Sequence, residues 1–215
     1  MKKNKIPVAK EGWPFILALA IITLVLFVFG WTIIGMGSLV LTLFVLSFFR
    51  DPERTVPEGE NVVVSPADGK VVVIKDIYEP DYLREEVTQI SIFLSVFNVH
   101  VNRAPIGGTV ETVKYNPGRF HIASVDKASL ANEQIGMVIR DGNRKLLVKQ
   151  IAGFIARRVI CYAKPGDVIQ KGDRYGLIRF GSRADIFLPK DAEIKVQLGD
   201  RVKGAQDIIG LLKEE

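Results

Sequence analysis

The dipeptide Gly181-Ser182 sets a hydroxyl one residue downstream of a peptide carbonyl that no side chain shields. If the backbone bends, the Ser182 hydroxyl reaches the Gly181 carbonyl carbon, and an N→O acyl shift turns the amide into an ester. β-Elimination then releases the upstream chain, and the dehydroalanine left behind hydrolyses to a pyruvoyl group, an electrophilic ketone. Gly-Ser is equally an ordinary turn between strands, so the surrounding sequence has to decide. No Gly-x-Ser-x-Gly elbow encloses Ser182, which argues against an ordinary serine hydrolase.

The chain has two histidines, His100 in Asn98-Val99-His100-Val101-Asn102-Arg103 and His121 in Gly118-Arg119-Phe120-His121. Neither has the neighbouring Cys or carboxylate spacing of a zinc site, so no metal is expected. A side chain that titrates near neutrality suits a general acid or base, a role open to either histidine. Asp68, before Gly69, suits a tight turn and equally suits the acid that orients a histidine beside a hydroxyl. Lys127 faintly resembles the carrier lysine of lipoyl domains, although residues 124–132 read as a short helix rather than a hairpin tip. Lys114, Arg119 and Lys127 could meet a phosphate, with a solvated charged face as the default. The lone Cys161 excludes an intramolecular disulfide and reads as a small buried apolar residue.

The elements that must hold these residues divide in two. From Trp13 to Phe49 no charged residue occurs. A single helix of that length would be roughly 55 Å long, against a hydrocarbon core of about 30 Å. Gly30, Gly35, Gly37 and Ser38 lie mid-run, where a reversal fits, so the run reads as a transmembrane helical hairpin of residues 13–30 and 34–49. Lys2, Lys3, Lys5 and Lys10 precede it, and Arg50 and Arg54 follow, which favours both ends on the cytoplasmic side of a cell membrane. A cleaved signal peptide is the competing reading, but the apolar run is too long and no small-residue cleavage site follows it. The net charge of +5 suits an anionic leaflet; no basic stripe with interleaved aromatics points to nucleic acid.

After the polar linker at residues 51–59 the sequence is mainly β. Val- and Ile-rich runs predict strands at 61–65, 70–75, 89–94, 108–115, 136–140, 146–151, 157–162, 174–178, 185–188 and 193–198. Asp141-Gly142-Asn143 marks a hairpin turn. Two phrases repeat approximately. Pro66-Ala67-Asp68-Gly69-Lys70-Val71 is echoed by Pro105-Ile106-Gly107-Gly108-Thr109-Val110, and Gly166-Asp167-Val168 by Gly199-Asp200-Arg201-Val202. Such turns resemble those of lipoyl- and biotinyl-type β-sandwiches, so a barrel-sandwich hybrid is expected for residues 55–215, after a membrane anchor at 1–54. A membrane-tethered scaffold without enzymatic activity fits the hairpin and the sandwich equally well.

Together these segments resemble the phosphatidylserine decarboxylase proenzymes of the short bacterial and archaeal branch. The markers are Ser65-Pro66-Ala67-Asp68-Gly69-Lys70, Phe97 through Pro105, Phe120-His121 through Lys127-Ala128-Ser129 with Asn132-Glu133, and Phe180-Gly181-Ser182-Arg183. The resemblance implies self-cleavage between Gly181 and Ser182 into a β chain of residues 1–181 and an α chain of residues 182–215. The α chain would begin with a pyruvoyl group made from Ser182, the one cofactor, which condenses with the amine of a phospholipid substrate and releases CO2. It further implies catalytic roles for Asp68 and a histidine. The longer branch carries His-x-x-His where this chain has His100 and Arg103, so self-processing is open to His100 or His121, with His100 also a proton donor in decarboxylation. Arg183 stands where a second hydroxyl is usual.

Overall fold

The structure is a computed structural model, and it describes residues 7–118, 132–153, 159–179 and 182–213. Two compact units divide between Glu53 and Arg54. In the first, helices α1 (Trp13–Val28) and α2 (Thr32–Phe48) are joined by three residues. Gly30 takes φ +76° in that joint, a conformation glycine adopts without strain. The chain then folds back on itself: Thr23 Oγ1 lies 2.7 Å from Ser38 Oγ and 3.2 Å from Thr42 Oγ1, and Val8 bridges Arg50. The small residue Gly35 lets the Phe27 ring pack against α2. Most of the remaining apolar side chains face outward, among them Leu24, Val28, Ile33 and Val40. The helical run Lys10–Val28 is long and apolar enough to cross a membrane by length and composition.

The second unit is built of strands. They are β1 (Val62–Val64), β2 (Gly69–Glu79), β3 (Glu85–Leu94), β4 (Val101–Arg103), β5 (Gly108–Asn116), β6 (Gln134–Asp141) and β7 (Arg144–Ala152). There follow β8 (Val159–Cys161), β9 (Val168–Ile169), β10 (Arg174–Ile178), β11 (Ser182–Pro189), β12 (Glu193–Ile194), β13 (Arg201–Val202) and β14 (Ile208–Leu211). An eight-stranded sheet runs β13-β2-β3-β11-β7-β6-β5-β9, and two three-stranded sheets run β1-β14-β12 and β4-β10-β8.

The echoed phrases fold as a structural duplication. Outward from the central β11–β7 pair, β3, β2 and β13 on one side match β6, β5 and β9 on the other. The hydrogen bonds match as well. Val71 N–H donates to Asp200 O and Val110 N–H to Asp167 O, both at 2.8 Å; Gly199 and Gly166 N–H donate back to Val71 and Val110. The carboxylates of Asp200 and Asp167 each accept a backbone N–H three residues upstream, from Gln197 and Lys164. Both β2 and β5 shift register just after these valines. At Gly69 and Gly108 a Cβ would stand 2.3 Å from the carbonyl oxygens of Phe93 and Arg140, so the sheet closes at both places only over glycine.

The halves differ in one connection. Between β6 and β7 lies the two-residue turn Gly142-Asn143, with Asp141 and Arg144 in register and Gly142 at φ +60°. Between β3 and β11, by contrast, the whole run from β4 to β10 is inserted. Residues 95–100, between β3 and β4, therefore lead from one half into the other.

Both faces of the central strands are covered. Ile90, Ile92, Leu94, Ala184, Ile186 and Leu188 join the main core, while Val87, Val138, Leu147 and Phe187 pack on the opposite face. Burial on two faces explains why these runs read as continuously apolar. Three expectations change. β11 begins at Ser182 rather than at 185, because Arg183, which a hydropathy pattern scores as turn, is the buried partner of Asp185. The run predicted at 193–198 keeps only Glu193–Ile194 as a strand. β4, β9, β13 and β14 are too short to show alternation. The helix predicted at 124–132 falls, except for Asn132, outside the described residues.

Glu79, which ends β2, is buried against Lys149, whose Nζ donates to it at 2.8 Å. Burial pushes its carboxyl up. The Lys149 hydrogen bond, the Leu83 and Tyr82 N–H groups and the Lys149 charge outweigh that and hold it below its ordinary value of 4.5. The stability it contributes is present above that unfolded value and is lost as pH falls through the lowered folded one. Glu79→Gln is therefore expected to lower Tm at pH 7 and to reduce the fall in Tm between about pH 5 and pH 3. Calorimetry of both proteins checks this; parallel pH profiles would refute it.

Candidate active site

Ser182 opens β11, in register with Leu94 of β3 and Ala152 of β7. Strand pairing on both sides holds its backbone. Its side chain is fully buried, and Oγ has no hydrogen-bond partner among the described residues. Burying a hydroxyl unsatisfied costs about 1–3 kcal/mol. Folding alone would favour alanine there. Gly181, with Phe180, lies outside the described residues.

His100 stands on the segment between β3 and β4. It is fully buried, and its carbonyl accepts the N–H of Ile178, the last residue of β10, at 3.2 Å. Its Nδ1 lies 2.9 Å from the Asn98 carbonyl oxygen. A carbonyl only accepts, so Nδ1 carries the proton and Nε2 is the acceptor of the neutral ring. Asn98 is itself fixed: its Oδ1 accepts from Ser95 N–H at 2.9 Å and from Ser95 Oγ at 2.7 Å. His121, Arg119 and Lys127 lie outside the described residues.

Asp68 has other partners. Its carboxylate accepts from Arg54 Nη2 at 2.8 and 3.1 Å and from Gly204 N–H at 2.8 Å. Arg54 Nη1 donates to Gln206 Oε1 at 2.6 Å. Among the described residues Asp68 bonds neither His100 nor Ser182. The Asp68 turn and the His100 strand are joined instead through Arg103, whose N–H donates to Pro66 O at 2.9 Å. The buried Arg103 side chain donates from Nη1 to Gly172 O at 3.3 Å.

The residues alternating with Ser182 on β11 form a buried ionic network. Arg183 Nε donates to Asp185 Oδ1 at 2.6 Å, and its Nη2 to Ser91 Oγ at 2.7 Å and to Asp185 Oδ2 at 3.1 Å. Gln89 Nε2 donates to Asp185 Oδ2 at 2.8 Å. Both charged side chains are fully buried. At the other neighbour of Ser182, Asn132 Nδ2 donates to the Ala152 carbonyl at 2.7 Å and the Glu133 carbonyl accepts the Ala152 N–H at 2.9 Å. Gln150 lies over Gly176, where a Cβ would be 2.4 Å from its Nε2, and it donates to Asn102 Oδ1 at 2.7 Å. Burial pushes the Cys161 thiol up to about 11, which removes it as a nucleophile near neutrality.

Sequence reading missed Arg54 and the Ser91–Gln89–Asp185 set. Arg54 sits in a linker that reads as solvent-facing. The spacing Arg183-x-Asp185 was the available signal, since alternate residues of a strand share a face. Among the described residues no group of His, Cys, Asp and Glu could hold a metal ion.

Residues 41–210 match the family model described as phosphatidylserine decarboxylase. Several curated bacterial proteins, each named phosphatidylserine decarboxylase proenzyme, are similar over nearly their whole length. The one from Geotalea uraniireducens is 47% identical over 213 residues, covering 99% of this chain and 100% of that protein. The one from Syntrophotalea carbinolica is 50% identical over 214 residues with the same coverage, and that from Ralstonia pickettii is 46% identical over 209, covering 95% of both.

Two measurements follow from this geometry. Asp185→Ala leaves Arg183 charged in a dry site and is expected to cost about 3–5 kcal/mol of stability, whereas Arg183→Met with Asp185→Leu costs far less. Denaturant titration compares them; equal losses would mean that the pairing is not what matters. Native protein at pH 8 is expected to resist thiol alkylation that the unfolded chain undergoes readily, because the raised Cys161 value leaves little thiolate.

Proposed function

The chain belongs to the phosphatidylserine decarboxylase family, and from that premise we propose that it matures by cutting its own backbone between Gly181 and Ser182. Membership carries the activity, decarboxylation of phosphatidylserine to phosphatidylethanolamine. The observation that best supports the cut is the buried Ser182 hydroxyl without a partner, at the first position of a strand registered on both sides.

On this reading the Ser182 hydroxyl gives up its proton and attacks the Gly181 carbonyl carbon. The C–N bond breaks, the amine takes a proton, and an ester links the two residues. Loss of the Ser182 α-proton then expels the upstream chain as the Gly181 carboxylate, and water replaces the remaining nitrogen as ammonia. A β chain of residues 1–181 and an α chain of residues 182–215 stay associated. The residues present fit a pyruvoyl group at this position, because the hydroxyl that would be lost has no partner to forfeit. Such a group supplies an electron sink for the pair left by departing CO2.

His100, with its Nδ1 hydrogen-bonded to the Asn98 carbonyl, offers Nε2 for proton transfer. Asp68 contributes as a carboxylate held by Arg54 at the turn bound to the His100 strand. His121 is the alternative base for processing. Helices α1 and α2 cross the membrane as a hairpin, with the catalytic unit on the cytoplasmic side, where a diacyl substrate is reached without leaving the leaflet. The duplicated halves correspond to two lipoyl-like units of a barrel-sandwich hybrid.

Intact mass spectrometry of the purified protein is expected to show two chains. The smaller should be lighter by one ammonia than a peptide beginning at Ser182. Ser182→Ala is expected to remain uncut and inactive. His100→Ala and His121→Ala, compared for processing rate and turnover, identify the base. An uncut wild-type chain ending in an ordinary serine residue would overturn the proposal.

A further inference from the structure

We propose that a groove beside the Asp68 turn binds the phosphodiester of the lipid substrate through Lys70, Arg201 and Lys203, delivering the serine headgroup to Ser182. The inference rests on the decarboxylase reading and adds the substrate contact that reading lacks. The groove encloses about 540 Å³. Lys70 on β2 and Arg201 on β13 are directly opposite in register, and Lys203 follows two residues on. Like charges set opposite one another across strands are destabilising. All three side chains are exposed, and none has an ion-pair partner among the described residues. The one carboxylate lining the groove, Asp68, is already neutralised by Arg54. What is left is a positive cleft suited to a monoanionic phosphodiester.

The internal duplication supplies a control. In the other half the equivalent register pair is Thr109 with Val168, and Gln170 stands where Lys203 does. The turns are the same and the charges are absent. Strand pairing therefore does not require the three cations, which occur only in the half that also carries Asp68.

One wall of the groove is the end of β3 that pairs with the start of β11. Phe93 in its wall is in register with Arg183, and the next residue, Leu94, is in register with Ser182. Asn98, on the same wall, is the residue whose carbonyl orients His100. On the rim Phe97 is 74% exposed, an aromatic placed where the acyl chains would leave the headgroup.

The test uses the full-length protein in detergent and in phosphatidylcholine vesicles containing phosphatidylserine. The probe for headgroup binding is glycerophosphoserine, the substrate's phosphodiester without acyl chains. A variant carrying Lys70→Ala, Arg201→Ala and Lys203→Ala is expected to process at Ser182, showing that fold and self-cleavage survive. Its KM for phosphatidylserine should rise about tenfold or more, with the effect on KM rather than kcat, and glycerophosphoserine binding by calorimetry should weaken similarly. Restoring Arg201 as lysine in that background should recover part of both. Unchanged KM and unchanged glycerophosphoserine binding overturn the proposal. So does a variant that merely stops binding phosphatidylglycerol vesicles while still binding glycerophosphoserine, since the cations would then serve the membrane surface. If wild-type protein binds glycerophosphoserine through these residues yet releases no CO2, the groove stands and the decarboxylase reading falls.

Discussion

The register of β11 is the constraint on which the site depends. A strand paired on both sides and buried on both faces cannot slip by one residue without exchanging every inward and outward side chain. In β11 such a slip would put Arg183 and Asp185 into the aliphatic core that now receives Ala184, Ile186 and Leu188. It would also put Ser182 on the ionic face. The Arg183–Asp185 pair, with Ser91 and Gln89, thus acts as a register pin, the best-attested use of buried polar groups.

Duplication explains why the site lies where it does. Two near-equivalent halves share glycines, turn aspartates and bulges, so those features belong to the fold. The candidate site lies where the halves part company. Asp68 stands where the other half has Gly107, and the insertion of one half into the other creates the segment 95–100 that carries His100. Where one half needs only a two-residue turn, the other admits the whole run from β4 to β10. Residues there are released from sheet-building duties.

Much of this was legible in the amino-acid pattern. Trp13 to Phe49 announced two apolar helices, Asp141-Gly142-Asn143 announced a hairpin, and the phrases at Pro66 and Pro105 announced the repeat. Each signal is local, carried by hydropathy or turn chemistry. What escaped depends on contacts between residues far apart in the chain. Arg54 pairs with Asp68 across a turn, Arg183 is charged yet fully buried, and strands of two to four residues owe their existence to partners rather than to composition. Ser182 itself read as a turn residue because its strand is held by neighbours that hydropathy cannot see.

The nesting of one half inside the other also orders events during synthesis. Strands β4 to β10 are contiguous in the chain and can pair as soon as they leave the ribosome, whereas the outer half is begun by β1 to β3 and finished only by β11 to β14. Gly204, which donates to Asp68, and β14, which pairs with β1, belong to the last stretch to emerge. Asp68 therefore cannot be fully bonded, nor β1 paired, until translation is nearly complete. Strand order makes the Asp68 turn, begun early in the chain, one of the last parts to be assembled.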